Sequence, residues 1–304
     1  MSNGIRLTTP LPLTGAHLTA TDVPEADYPV WSAGTTYALG ARVIRSNSVW
    51  QSAQDGNVGH DPSTSGDVWW LRVGPTNRFA MFDLTKATPT TLGGDSYYEF
   101  ALGKSINAIH VIGLVNVESL RVRLTSTAAG QVYDSGLSPT GMVITDAAWW
   151  TFFYGPRVLV SELHYYDLPT YEDMTLRLDF YGAPGMSVGY VVCGSAEQYG
   201  MGVEYGARIT NEAFGSTPRD QWGVPSLKKR PKARRLTFTL IHESAELDDL
   251  LDRLDSADTE IALWNVYDGH RATKVLGTLN SADAVLSYYQ HCQTSIEILG
   301  MPNA

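Results

Sequence analysis

Apolar and polar residues alternate with a period of two through the middle of this chain. In Leu120-Arg121-Val122-Arg123-Leu124 the aliphatic side chains fall on one side and the arginines on the other, the pattern of a strand with one buried and one solvated face. Met174-Thr175-Leu176-Arg177-Leu178-Asp179-Phe180 repeats it, and Ala108-Ile109-His110-Val111-Ile112-Gly113-Leu114-Val115 reads as another strand. Runs of this kind from 76 to 199 predict a β-sandwich, jelly-roll-like or related. Between 28 and 75 the signal changes. Trp31, Tyr37, Trp50, Trp69 and Trp70 are interleaved with Gly, Ser, Asn and Asp, which predicts a compact aromatic β-module closed by the breaker Gly74-Pro75-Thr76-Asn77.

The period lengthens to that of a helix once. Ala245, Leu247, Leu250, Leu251 and Leu254 recur at helical spacing with Asp and Glu opposite, predicting an amphipathic helix near 243–256 with Ser244 as its cap. Strands resume at Ile261-Ala262-Leu263-Trp264, Lys274-Val275-Leu276-Gly277 and Thr294-Ser295-Ile296-Glu297-Ile298-Leu299. Residues 200–304 therefore read as a β-rich C-terminal domain with one helix. Residues 1–27 show neither period and are expected to be an extended N-terminal arm, ordered by a neighbouring subunit or domain and dispensable for folding. No fixed repeat argues for a solenoid or propeller. The fold class is mainly β.

Composition sharpens this. A chain of 304 residues predicts two or three units, and 16 Tyr, 8 Trp and 28 Gly suit short strands and tight turns. The net charge of -10 argues against sequence-independent binding of nucleic acid. Cys193 and Cys292 are too few and too far apart for a disulfide framework or a thiol zinc site, and both are expected as buried free thiols. The start Met-Ser-Asn-Gly-Ile-Arg-Leu has no cationic stretch before an apolar core, and no apolar run approaches about 18 residues. The expectation is cytoplasmic synthesis and no membrane span.

The chemistry is sparse. No Gly-x-Ser-x-Gly, Walker-type or His-Glu-x-x-His run occurs, so the chain is expected not to be an enzyme, with no catalytic residues, cofactor or metal. His164, Asp167, Glu172 and Asp173 cluster beside Tyr165 and Tyr166; a solvated loop is the first reading and a calcium or sugar-facing loop the second. Lys228-Lys229-Arg230-Pro231-Lys232-Ala233-Arg234-Arg235 is strongly basic. It fits a solvated stretch, or contact with acidic residues of a neighbouring subunit or of the helix at Glu243 to Asp258, better than nucleic acid.

Two resemblances bear on function. Trp31, Tyr37, Gly40, Val43 and Trp50, then Gly59-His60-Asp61-Pro62-Ser63 and Trp69, resemble in order and spacing the chitin- and cellulose-binding modules of carbohydrate-binding families five and twelve. The resemblance implies a small three-stranded β-structure whose rings stack on the C–H face of a pyranose. His60 stands where members of that family often carry a Trp. Two roles stay open for the rings: the core of a module too small to fold without them, or a ligand platform. Trp69 and Trp70 are adjacent and should point to opposite faces, leaving one exposed if the other is buried. The candidate carbohydrate-binding residues are Trp70, Trp69, His60 and Trp50.

The second resemblance is carried by Tyr205-Gly206-Ala207-Arg208-Ile209, Phe214-Gly215, the basic run, the helix near Leu250 and the ending Thr294-Ser295-Ile296-Glu297-Ile298-Leu299-Gly300. This pattern is similar to a family of siphophage tail proteins. It implies a structural component of a tail tip or baseplate, made in the host cytoplasm and located in the virion tail. Its implied partners are other tail-tip or baseplate proteins, further copies of itself in a trimeric or hexameric ring, and host surface polysaccharide. The alternatives are a polysaccharide-degrading hydrolase with an appended carbohydrate-binding module, and a lectin-like binding protein.

Overall fold

The period-two runs pair as antiparallel strands with their apolar faces inward. The computed structural model describes all residues except 1–3, 87, 141, 144–148, 155–157, 214–221, 223–231, 258–259, 287–289 and 303–304. The protein is mainly β, with curled antiparallel sheets. Four segments were expected along the sequence. The contacts instead gather the chain into two units, one of Pro12–Ser105 with His110–Val191, the other of Met1–Leu11, Ile106–Ile109 and Val192–Ala304.

The first of these holds the sandwich-like part. Its main sheet runs from Gly130–Asp134 through Ser119–Ser126, Met174–Tyr181 and Ser96–Ala101 to Leu18–Thr21, with Ser138–Pro139 also on Ser119–Ser126. Leu120, Val122, Leu124, Leu176, Leu178, Phe180, Tyr98 and Phe100 are fully buried on one face. From the 3-10 turn Asn77–Phe82, Phe82 sets its ring edge-on to Tyr98 and Phe100 at 5.4 and 5.0 Å.

The opposite face carries the charges. Arg177 stands directly across from Arg123, a destabilising pair on its own. Asp179 resolves it by accepting from Arg123 at 2.7 Å and from Arg177 at 3.0 Å. Arg177 also meets Glu99 at 3.4 Å, and Arg121 pairs with Asp134.

The other unit contains the predicted helix, Leu247–Ala257, entered through a 3-10 turn at Ser244–Glu246. Leu250, Leu254 and Ala257 press into a core with Leu236, Phe238, Trp264, Ile296 and Ile298. Ser244 is the first residue of that 3-10 turn, and its hydroxyl lies 3.3 Å from Cys292 Sγ. Both cysteines are buried and free, and burial pushes the Cys193 thiol up to about 12. Residues 228–231 of the basic run lie outside the described residues. Its last member, Arg235, pairs with Glu212 and Glu297 of the same unit.

The stretch expected as an arm is part of the framework. Ile5–Pro10 is a strand between Gly194 to Tyr199 on one side and Leu263 to Asn265 on the other. The sheet continues through Lys274–Val285 and His291–Gly300 to Lys232–Glu243, on which Gly202–Val203 and Arg208–Ala213 both pair. Only two apolar positions of this strand, Ile5 and Leu7, face the core, too few to register as a period. Pro10 is tolerated because it lies past Thr8, the last residue paired to the Leu263 side. Opposite it, a side chain at Gly194 would collide with the carbonyl of Thr9, so glycine is required by close approach.

This placement reverses the expectation of a dispensable arm. Leu7→Ala removes a side chain that is 1% exposed and should lower stability by about 2–5 kcal/mol in urea unfolding. Removal of residues 1–10 should abolish the cooperative transition of its unit, and unchanged melting of the shortened chain would contradict the strand's role.

Candidate functional site

The aromatic module is a three-stranded antiparallel sheet of Arg42–Arg45, Ser48–Ser52 and Trp70–Pro75. The first hairpin closes through Ser46 and Asn47, both with positive φ at 50° and 59°, the conformation of the two-residue turn that suits strand twist. Asn47 donates to Glu25 at 3.3 Å, and its carbonyl accepts from the Thr76 N–H. The turn is therefore tied to both chain ends of the module.

Tyr37, Val43 and Trp70 form the buried centre, with Trp31, Ala41, Trp50 and Trp69 packed around it. Tyr37 meets Trp70 edge to face at 5.3 Å, a favourable arrangement for aromatic quadrupoles. The Trp70 indole N–H donates to the His60 carbonyl at 2.8 Å, and that of Trp50 donates to the Arg45 carbonyl at 3.0 Å. Both polar handles are thereby used inside the module. Trp70 is 0% exposed, so its ring is core.

Trp69, in the turn just before that strand, is half-buried and packs partly against the same core. The His60 imidazole lies against it, with ring centroids 3.7 Å apart and planes 12° from parallel. Of the four candidate residues the fold thus brings His60 and Trp69 into one two-ring stack, keeps Trp70 inside, and holds Trp50 at the margin of the core. The imidazole occupies the flank of the indole.

A clamp not anticipated from the sequence holds the loop that presents His60. Arg45 donates twice to Asp61, at 2.7 and 3.3 Å, while its guanidinium lies 5.1 Å from the Trp31 ring centre. Asp61 also accepts from the Ser63 hydroxyl and backbone N–H, at 2.7 and 2.9 Å. The Ser63 hydroxyl, then Arg45, hold its carboxyl down at about 2. The signal for this was the Asp61-Pro62-Ser63 turn itself, since Asp beside Pro and Ser readily accepts from the backbone two residues on; the distant arginine carried no local mark. Gln54 and Asn57 complete the loop, donating to the carbonyls of Val68 and Trp69 at 2.9 and 3.2 Å.

No protein family, characterised protein or solved structure matches this chain.

The second cluster singled out in the sequence is differently organised. His164 lies 3.2 Å from His110 and 3.4 Å from Glu162, with Tyr166 against the His110 ring. Asp173 instead accepts from the Ser126 hydroxyl at 2.8 Å and from the Ala128 N–H, closing a turn, and the Ser126 bond lowers its pKa. Among the described residues no group of three His, Cys, Asp or Glu is arranged to hold a metal ion.

The Asp61 clamp sets a pH dependence. A carboxyl held below its ordinary value of 3.8 contributes fully to stability above that value and loses the contribution as pH falls toward about 2. Asp61→Asn should therefore lower the melting temperature at pH 7, and the gap to the parent should close on acidification over that window. A gap constant with pH would mean that the clamp is not ionic.

Proposed function

We propose that the chain is a structural subunit of the tip or baseplate of a tailed-phage tail and that residues 28–75 give it a weak site for host surface glycan. The observation that carries the glycan reading is the stack of His60 on a half-buried Trp69, beside a core that already has its aromatic filling in Tyr37 and Trp70. A pyranose presents an apolar C–H face to such a ring, and the polar edges around it meet the hydroxyls. One indole flanked by an imidazole offers less stacking area than two large rings. The affinity is accordingly weak, about millimolar per copy, and several copies in a ring convert it into useful avidity.

The tail reading is supported by the glycine-tyrosine stretch, amphipathic helix and closing strand that resemble siphophage tail proteins. The sheet to which that strand belongs, and into whose core the helix packs, is extensive, and repetition of one heterologous surface contact closes such subunits into a ring. Its function then lies in assembly, with other tail-tip or baseplate proteins and further copies of the chain as partners and no reaction to catalyse.

Two measurements check these readings separately. An oligomeric display of the chain should be retained on host envelope polysaccharide, and Trp69→Ala should reduce retention about tenfold while lowering the melting temperature far less than loss of the core ring Trp70. Trp70→Ala should instead unfold the module at a cost of about 3–5 kcal/mol. Loss of stability in both variants, with no retention by the parent, would make the module a spacer. Gold-labelled antibody against the chain should mark the tail tip of intact virions, and label elsewhere or nowhere would remove the tail assignment.

A further inference from the structure

The aromatic module is joined to its surroundings without a free linker on either side. The chain enters it through 22–27 and leaves it through Pro75 to Asn77, and Val23 and Thr76 within these flanks are buried. Module and flanks belong to the same unit, Pro12–Ser105 with His110–Val191. Glu25, whose side chain is 17% exposed, gathers separate segments of it. Its Oε1 accepts from the Thr76 hydroxyl at 2.7 Å, Asn47 Nδ2 donates from 3.3 Å to either carboxylate oxygen, and Arg78 Nη1 lies 3.5 Å from Oε2. Thr76 is the module's exit and Asn47 the turn of its first hairpin. Arg78 belongs to the 3-10 turn Asn77–Phe82, whose Phe82 packs on the main sheet.

The same joint is tied from other sides. Arg78 Nε donates to the Val23 carbonyl at 2.7 Å, and the Asn77 N–H donates to Asp27 Oδ2 at 2.5 Å. The Asn77 side chain exchanges two hydrogen bonds with the Thr91 backbone, at 2.8 and 2.9 Å, and the Tyr98 hydroxyl donates to the Arg78 carbonyl at 3.0 Å. Gly15, just ahead of Leu18–Thr21, lies so close to Asn47 that a Cβ there would overlap Oδ1. Ile44 and Val49 are partners across the first hairpin and face away from Val43 by strand alternation. They are nonetheless 4% and 6% exposed, so at this end both faces of the small sheet are covered. Two connections alone leave a hinge about the line that joins them. The turn at Asn47 supplies a third point of attachment and removes that hinge, against the ordinary expectation that neighbouring folding units move relative to one another.

We propose that Glu25 is a positioning residue that locks residues 28–75 to the sandwich-like part in one orientation, so that His60 and Trp69 are presented in a fixed direction instead of on a tether. This use of the lock rests on the glycan reading above, while the lock itself does not. Copies assembled side by side then hold their sites pre-aligned, which spares orientational freedom when several engage one polymer.

Double electron–electron resonance on the full chain tests this. Nitroxides are placed at Leu71→Cys in the module and Thr125→Cys on the main sheet, while Cys193 and Cys292 are buried and stay unlabelled. The parent should give one narrow distance distribution, and Glu25→Ala should widen it at least about twofold by restoring relative motion. Single-copy affinity for host envelope polysaccharide should be the same in Glu25→Ala as in the parent, whereas retention of an oligomeric display should fall about threefold or more. Should Glu25→Ala fail to fold, Gly15→Ala replaces it, because the added Cβ displaces the Asn47 side chain and leaves the other bonds of the joint in place. A broad parent distribution, or a variant as narrow as the parent, would overturn the proposal. So would an equal fall in single-copy affinity and oligomer retention, since Glu25 would then support the site itself. A parent that binds no polysaccharide, with the distributions as expected, would leave the lock standing and remove the glycan reading alone.

Discussion

A strand cannot satisfy its own backbone, and in this chain the partners are usually far away in sequence. Ile5–Pro10 completes its hydrogen bonds with residues near 197 and 264, and Leu18–Thr21 with residues near 99. Burial of Ile5, Leu7, Tyr98 and Phe100 is possible only after those pairings form, so the sheets and their cores come into being together. The loop-closure entropy of such contacts has to be met before any burial compensates for it, which makes the topology a slow one to fold.

The aromatic module is the contrast. Its three strands lie within a few tens of residues, and a tight turn at Ser46 and Asn47 sets the first pairing. A core this small gains its order from large rings that spend their polar atoms locally, as Trp70 does on the His60 carbonyl. The same bond that satisfies the buried indole brings the His60 backbone close to the strand start, and its imidazole then falls onto the neighbouring indole of Trp69. Core and candidate site thus meet at one Trp pair.

Much of this was legible in the residues, and what was not has a physical reason. The alternation of Leu120, Val122 and Leu124 with Arg121 and Arg123 gave the buried and wet faces directly, and the leucines of the helix gave its period. Strand parity would set Trp69 and Trp70 on opposite faces, but Trp69 lies in the turn before the strand and packs partly against the same core, so parity did not decide which ring is fully buried. That was decided by Tyr37 and His60, residues with which the pair has no local pattern. The Arg45 clamp on Asp61 and the Asp179 bridge between two arginines were hidden for the same reason, since an ion pair across strands leaves no trace in either strand alone. Ile5–Pro10 escaped because two inward-facing side chains do not make a period, and its identity as a strand lies wholly in its neighbours.

The position of that strand has a consequence for synthesis. Ile5–Pro10 is made about 250 residues before one of its flanking strands. At about 5–20 residues per second the edge that pairs with Leu263 to Asn265 waits for roughly 12–50 s, and the edge that pairs with Gly194 to Tyr199 for a shorter time. Throughout that interval it is an open template for any other extended chain, including those on neighbouring ribosomes of the same message. Its threonines and the terminal proline blunt the segment while it waits. Synthesis of Leu263 to Asn265 then fills the second edge and withdraws the template.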